Sequence, residues 1–134
     1  MLYVEVNNMN YLGYACINQG FSTLPKSQRI TTNRTMIKRT FHDRGIEYAA
    51  ELALQNLRDL YTILEWNLQH DIYFYRLSSN IIPWASEYDL VDMPNFGAIH
   101  AAALKAGNFA RKHGMRLTSH PGPFNKLASP KERV

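Results

Sequence analysis

The sequence predicts an α/β fold in which strands alternate with helices and pair in parallel. Two stretches have the three- and four-residue apolar spacing of amphipathic helices, two short runs are rich in apolar, aromatic or β-branched residues, and a third short segment follows the second helix. They follow one another in the order strand, long loop, helix, strand, loop, helix, strand. Strands that alternate with helices pair in parallel through right-handed crossovers, and either a doubly wound sheet or an eight-fold barrel begins in this way.

Three segments are predicted to be strands. Tyr11–Cys16 is an apolar, aromatic run that fits a buried strand, and it places Cys16 inside that strand as inert packing. Ile72–Leu77 is rich in the β-branched and aromatic residues that strands favour. Met115–Ser119 is the third strand.

Two segments are predicted to be helices, each with one apolar face. The first is Ile46–Gln69, and the second is Gly97–His113, which Gly114 ends. The expected buried faces consist of Ile46, Ala49, Ala50, Ala53, Leu57, Leu60, Tyr61, Leu64 and Leu68 in the first helix, and of Ile99, Ala102, Ala103, Ala106, Phe109 and Ala110 in the second.

A long polar segment, residues 18–45, separates the first strand from the first helix. It carries six basic residues, and a short helix near Met36–Phe41 is one interpretation of its middle. Loops of this length in compact domains often carry function. The basic residues are Lys26, Arg29, Arg34, Lys38, Arg39 and Arg44.

Composition and charge limit the classes of protein. The chain has 134 residues, 46% of them apolar, with a single cysteine, so an internal disulfide and a multi-cysteine zinc site are excluded. No apolar run has the roughly 18 residues of a membrane span, and we expect an intracellular protein without a membrane partner. Residues 1–45 and 100–134 are basic, whereas residues 46–99 are acidic. Basic blocks attract phosphate backbones, or they are simply solvated faces.

The last residues resemble the start of another helix. Ser129, Pro130 and Glu132 form a capping box with proline at the first helical position. Three parallel strands with two helices leave one sheet face uncovered. We therefore expect the N-terminal part of a larger barrel, with about three strands and two to three helices, or a shortened relative of one. A chance match to the capping pattern is the alternative.

Polar residues follow each predicted strand, where parallel α/β folds place their chemistry. They are Asn18, Ser78–Asn80 and Ser119–His120. His120 is a candidate metal ligand or general base. The sequence contains no Walker loop, dinucleotide-binding glycine motif, zinc-protease motif or serine-hydrolase motif.

Aromatic residues lie near the same strand ends. Tyr14 and Phe124, beside basic residues, suit stacking on bases while phosphates are held nearby. For Trp84 we favour packing in the core.

Several short motifs, in order, resemble the UV damage endonuclease family. The similarity runs from about Tyr11 to the last residue and leaves residues 1–10 uncovered. Its motifs are Gly13-Tyr14-Ala15-Cys16-Ile17-Asn18, Thr32-Asn33-Arg34-Thr35, Asn56-Leu57-Arg58-Asp59-Leu60, Ile63-Leu64-Glu65-Trp66-Asn67, Tyr75-Arg76-Leu77-Ser78-Ser79, Pro83-Trp84-Ala85-Ser86, His120-Pro121-Gly122 and Ser129-Pro130.

The resemblance implies that residues 1–134 are part of a TIM (β/α)8 barrel, with the chain stopping at the start of the third barrel helix. It implies an endonuclease that nicks DNA 5′ to UV lesions by metal-assisted phosphodiester hydrolysis, with the lesion flipped out of the stack. The implied cofactor is a cluster of divalent metal ions, manganese being expected. The implied partners are double-stranded DNA with UV lesions and a second chain that completes the barrel.

The resemblance also assigns roles to individual residues. His120 resembles a metal ligand, and Tyr14 and Asn18 resemble DNA contacts at the lesion. Phe124 resembles the aromatic member of a wedge pair. Phosphate contacts are expected from the long loop at Asn33, Arg34 and Lys38.

Two departures from the family pattern weaken these assignments. Pro123 precedes Phe124 where the family has glutamine, and Asn80 stands where some relatives have histidine. The family's other metal ligands would lie beyond residue 134, so we expect no activity from this chain alone. Two alternatives stay open: a non-catalytic remnant that binds DNA weakly or not at all, and another metal-dependent barrel enzyme of the sugar isomerase type.

Overall fold

Three short parallel strands form the sheet in the computed structural model, which describes residues 12–119. They are β1 (Gly13–Ala15), β2 (Phe74–Leu77) and β3 (Arg116–Ser119), in the order β1-β2-β3. Tyr14 lies opposite Tyr75, so the two side chains share one sheet face. The predicted parallel βαβαβ order is confirmed.

Three α-helices connect or follow the strands. They are α1 (Gln19–Ser22), α2 (Lys38–Gln69) and α3 (Phe96–Lys112). Short 3-10 turns lie in the loops at Lys26–Gln28, Ala85–Glu87 and Leu90–Asp92. Helices α2 and α3 pack against each other and against one sheet face, because both crossovers pass on the same side.

The hydrophobic core lies between that sheet face and the two long helices. Burial of these side chains is the main favourable contribution to folding. The buried apolar residues are Met36, Ala49, Ala50, Leu52, Ala53, Leu57, Leu60, Ile63, Leu64, Tyr75, Met93, Ile99, Ala106 and Ala110.

Helix α2 begins earlier than the sequence predicts. Its first turns run from Lys38, and Gly45, at φ 70° and ψ −159°, kinks the backbone before the predicted segment Ile46–Gln69 continues. Glycine adopts positive φ without the steric cost that a Cβ brings. The short helix expected near Met36–Phe41 is therefore joined to α2 across a kink.

Several predicted positions are wrong in detail. Cys16 lies just after β1 with φ 61°, in a tight turn where the Ile17 amide donates to the Ala15 carbonyl. Tyr61 is only half-buried, since it packs against Phe109 at the rim of the helix pair. Leu68 is half-buried near the end of α2, and Ala103 is exposed on the outer side of α3.

The other sheet face carries no helix within residues 12–119. We call it the open face; it consists of Gly13, Ala15, Phe74, Arg76, Arg116 and Thr118, which alternate with the residues that face the helices. None of the helices described in residues 12–119 is long and apolar enough to span a membrane. Tyr11, His120, Phe124 and the capping box at residues 129–132 lie outside the described residues.

Candidate nucleic-acid interface

The carboxyl ends of β1 and β2 are tied together by the hydroxyl of Tyr75. This hydroxyl donates to the Cys16 carbonyl at 2.9 Å and lies 3.2 Å from the Thr32 hydroxyl. Tyr75 is 1% exposed, and burial raises its pKa to about 12. One side chain of β2 thus holds both the turn after β1 and the loop that contains Asn33.

A polar cluster follows β2. The Ser78 hydroxyl donates to Asn33 Oδ1 at 2.6 Å, and Asn80 Nδ2 donates to the same oxygen at 3.4 Å. The Asn80 amide donates to Ser78 Oγ at 3.1 Å. Ser78 is buried, whereas Asn33 and Asn80 are exposed. Because Asn33 Oδ1 already accepts these bonds, the Asn33 amide group can offer only N–H donors to a ligand.

Arg34, predicted to hold phosphates, makes several contacts within the protein. Its Nη1 lies 2.6 Å from Asp59 Oδ2 and donates to the Thr31 carbonyl at 2.7 Å, while Nη2 donates to the Arg29 carbonyl at 2.8 Å. The side chain is 23% exposed. The guanidinium therefore helps to shape the loop, with its charge balanced by Asp59.

A buried asparagine on α2 holds this loop and the loop after β2 together. Asn56 Oδ1 accepts from the Arg34 amide at 3.1 Å. Its Nδ2 donates to the carbonyls of Arg34, Asn80 and Ile81 at 3.1, 3.3 and 3.1 Å. Asn56 is 0% exposed, so water cannot replace these bonds cheaply.

Tyr14 and Asn18, both predicted to contact DNA, are hydrogen-bonded to each other. Asn18 Nδ2 donates to the Tyr14 hydroxyl at 2.8 Å, and that hydroxyl donates to Asn67 Oδ1 at 2.5 Å. Asn18 is buried and its Oδ1 caps α1 by accepting from the Phe21 amide at 3.3 Å. Burial raises the pKa of Tyr14, and the hydrogen bonds with Asn18 and Asn67 oppose that shift.

A shallow pocket adjoins this hydrogen-bonded trio. Its volume is about 230 Å³, and Trp66 and Ile17 line it together with Tyr14 and Asn18. Trp66 lies edge-on to Tyr14, with ring centroids 6.4 Å apart. The pocket is mostly apolar, so it suits the face of a planar ring better than a charged group.

Lys38 is exposed at the first residue of α2. The next two basic residues along α2 are exposed as well and form ion pairs. Arg39 lies 3.9 Å from Asp43, and Arg44 lies 4.0 Å from Glu51. Such exposed pairs are weak and leave the cations accessible. The start of α2 lies beside the loop that follows β2, because Trp84 Nε1 donates to the Met36 carbonyl, two residues before Lys38, at 2.9 Å.

Residues 12–119 contain no group of three or more His, Cys, Asp or Glu side chains placed to hold a metal ion. The described residues therefore do not fit the metal cluster that the resemblance implies. His120, the predicted ligand, and Phe124, the predicted wedge, lie outside the described residues. Their roles stay predictions.

Comparison with known proteins shows the family. The model of the UV-endonuclease UvdE family matches residues 10–134. This chain belongs to the UV-endonuclease UvdE family. This chain also shares its three-stranded α/β structure with part of a solved protein: the crystal structure of SacUVDE matches with a TM-score of 0.69 and 29% identity, over 90% of this chain and 38% of that chain.

Family relatives extend well beyond the region that this chain matches. A homologue from Acanthamoeba polyphaga mimivirus is 37% identical over 134 residues, which is 95% of this chain and 38% of the homologue. The UV-damage endonuclease of Schizosaccharomyces pombe is 36% identical over 123 residues, 92% of this chain and 20% of the enzyme. The chain thus spans less than two-fifths of either relative.

Three residues that organise the site were missing from the predicted site residues. Asn56 and Asn67 are buried polar side chains on the apolar face of α2, and Tyr75 is the buried tyrosine of β2. A signal was present for the asparagines, because each lies three or four residues from apolar positions of the same face. No pattern in the sequence marks Tyr75, since strands are commonly aromatic.

Proposed function

We propose that this chain provides the DNA-contacting portion of an endonuclease that nicks DNA 5′ to UV lesions. The observation that carries the proposal is the cluster of Asn33, Ser78 and Asn80 at the carboxyl end of β2. The side-chain amide donors of the exposed Asn33 and Asn80 suit phosphate and sugar oxygens, to which most protein–DNA hydrogen bonds are made. Membership of the UvdE family supplies the lesion and the reaction class.

The loop that holds Asn33 is fixed before any ligand arrives. Asn56 binds it to α2, Tyr75 binds Thr32, and Asp59 binds both Arg34 and the Thr31 amide. A fixed loop loses little conformational freedom when it binds, which raises affinity for a backbone of regular shape. Lys38 and its basic neighbours attract the phosphates of the DNA backbone, whatever the base sequence.

The same proposal places the strand-nicking activity in a complete TIM barrel. The three described strands would be its first three, and the rest would come from the region that relatives carry or from a second chain. Divalent metal ions, manganese first among them, would be bound there with His120 as one ligand. Residues 12–119 contain no three His, Cys, Asp or Glu side chains placed to hold such an ion, so the ligands beside His120 would come from the rest of the barrel.

Binding is tested with a duplex that carries a UV lesion and a matched undamaged duplex. Lys38→Ala is expected to weaken binding of both duplexes and to lower the salt slope by about 0.9 for one phosphate contact. Asn33→Ala is expected to weaken binding with little change in salt slope, because it removes neutral donors. Lys112→Ala serves as the control, since Lys112 is exposed at the opposite end of the strands.

Equal affinity of the wild type and Lys38→Ala would contradict the phosphate role of Lys38. An equal loss in Lys112→Ala would show that only total charge matters. Failure of the wild type to bind either duplex would overturn the DNA-binding function for this chain.

Nicking is measured separately, with a UV-irradiated oligonucleotide and manganese. We expect no cleavage by the 134-residue chain alone. Cleavage 5′ to the lesion would show that this chain builds a complete site, and the barrel proposal would be wrong. A non-catalytic remnant would also bind DNA without cleaving it. To separate the remnant from the endonuclease, the part of a relative that extends beyond the match is added: recovery of the nick indicates the endonuclease. The family match decides against the sugar isomerase alternative.

A further inference from the structure

Arg76 lies on the open face of the sheet, away from the helices. Its neighbour Tyr75 is buried against α2, and side chains alternate along a strand, so Arg76 is exposed on the opposite side. In register beside it lie Ala15 on β1 and Thr118 on β3. Both neighbours are small and uncharged, which leaves room around the guanidinium group.

Arg76 has no carboxylate partner among residues 12–119. The three strands contain no aspartate or glutamate, and the ion pairs within the described residues involve Arg34, Arg39 and Arg44. Arg76 is also one of only two basic residues in the acidic block 46–99, the other being Arg58. Within the part of the chain that the structure describes, no carboxylate balances this guanidinium, so an anion can neutralise it.

The backbone at Arg76 is held firmly. Its carbonyl accepts from the Cys16 amide at 2.9 Å, which extends the β1–β2 pairing past the end of β1. The hydroxyl of Tyr75, next in the chain, binds the carbonyl of the same Cys16 at 2.9 Å. The guanidinium therefore projects from a fixed point of the sheet.

Arg76 stands two residues before Ser78, whose hydroxyl binds Asn33. Two residues of strand span about 6.6 Å, a distance that an extended arginine side chain covers. The Arg76 guanidinium can thus reach an anion that lies at the carboxyl end of β2 and accepts from the donors of Asn33 and Asn80. Arg116 differs: it begins β3 at the amino end of the sheet, with its guanidinium 5.8 Å from the Phe74 ring.

We propose that Arg76 binds a phosphodiester group of DNA that lies across the carboxyl ends of β1, β2 and β3. The planar guanidinium fork matches the oxygens of a phosphate and forms paired, charge-assisted hydrogen bonds with it. The DNA would then be bound both by Arg76 of the sheet and by the exposed basic residues of α2. This inference rests on the proposed DNA-binding function and adds a residue to which no role was assigned above.

The test compares Arg76→Gln with Arg58→Gln and Arg116→Gln in the whole chain. Binding to a lesion-bearing duplex is measured by fluorescence anisotropy over a range of salt. Arg76→Gln is expected to weaken binding by about tenfold and to lower the salt slope by about 0.9. Arg58→Gln and Arg116→Gln remove the same charge elsewhere and should change neither quantity. Arg76→Lys, which keeps the charge but not the fork, should recover the salt slope and only part of the affinity.

Each outcome separates the inference from the function that it rests on. If the wild type binds DNA and Arg76→Gln binds with the same affinity and salt slope, the inference is overturned and the DNA-binding function stands. If the wild type does not bind, both fail. Circular dichroism melting of each variant shows that the fold is retained.

Discussion

Asn56 and Arg34 are joined by two reciprocal hydrogen bonds, since the asparagine accepts from the Arg34 amide and donates to the Arg34 carbonyl, both at 3.1 Å. The side chain of Asn56 thereby mimics a strand neighbour for one residue of the loop. The same amide nitrogen reaches the carbonyls of Asn80 and Ile81. A single residue of α2 thus sets the distance between the two loops that form the candidate DNA-binding cluster.

We expect Asn56→Ala to destabilise the fold by about 3 kcal/mol, because it leaves several buried backbone groups without partners. The free energy of unfolding is measured by urea denaturation. Gln55→Ala is the matched control: Gln55 is exposed on the same helix, and its removal should cost less than about 0.5 kcal/mol. Similar losses in the two variants would show that the hydrogen bonds of Asn56 contribute little.

The Arg34–Asp59 ion pair is expected to stabilise the loop measurably. Its side chains are 23% and 21% exposed, and Asp59 also accepts from the Thr31 amide at 3.0 Å. A double-mutant cycle with Arg34→Ala and Asp59→Ala should give a coupling energy of about 1 kcal/mol.

The pair Arg39–Asp43 is the control for that cycle. Its side chains are 88% and 68% exposed and its atoms lie 3.9 Å apart. We expect no measurable coupling there, as for most exposed pairs. If both cycles gave the same coupling, burial of the Arg34–Asp59 pair would have no energetic effect. Because Arg34→Ala also disturbs the loop, its effect on DNA binding should be read beside that of Lys38→Ala, which leaves the loop intact.

Two glycine-to-alanine variants should have opposite effects. A Cβ at Gly13 would lie 2.0 Å from the Phe74 carbonyl oxygen, so Gly13→Ala must separate β1 from β2 and is expected to prevent cooperative folding. A Cβ at Gly107 on α3 meets no atom within 4 Å. Gly107→Ala should therefore stabilise the protein by about 1 kcal/mol. Thermal melting of the two variants checks both expectations, and a stable Gly13→Ala variant would contradict the close approach of the strands.

The buried tyrosines predict a loss of stability at high pH. Burial raises the pKa of Tyr75 and of Tyr88 to about 12, whereas an exposed tyrosine in the unfolded chain has a pKa of about 10. Below pH about 10 both hydroxyls are neutral in either state, so their contribution to stability is fully present. As pH rises from about 10 through about 12, the unfolded chain ionises first and the free energy of unfolding falls.

Urea denaturation between pH about 8 and about 12 measures this fall. Tyr75→Phe should be less stable at neutral pH by about 1 kcal/mol, since it loses the bond to the Cys16 carbonyl, but its stability should decline less steeply in alkali. Tyr75→Phe combined with Tyr88→Phe should show the smallest decline. An identical slope in the wild type and the double variant would rule these hydroxyls out as the titrating groups.

Periodicity and local chemistry determined most of the fold in advance. The apolar spacing of residues 46–69 and 97–113 predicted the long helices, and the aromatic runs Tyr11–Cys16 and Ile72–Leu77 predicted two of the strands, because these patterns reflect burial of one face. The helical start at Lys38 was only partly visible. It depends on Gly45 accepting a positive φ, which allows two helical segments to join at an angle.

The sequence by itself determined the order of elements, the family resemblance and the cluster of polar residues at the strand ends. Only the tertiary structure decided which of those residues are committed internally. Arg34 and Asn18 look free in the sequence, but Asp59 binds Arg34 across 25 residues of chain, and Asn18 binds Tyr14, whose hydroxyl reaches Asn67 across 53 residues. Hydrogen-bond partners distant along the chain leave no periodic signal. For the same reason Asn56 holds two loops together only in the folded chain, where α2 brings both of them within reach of its side chain.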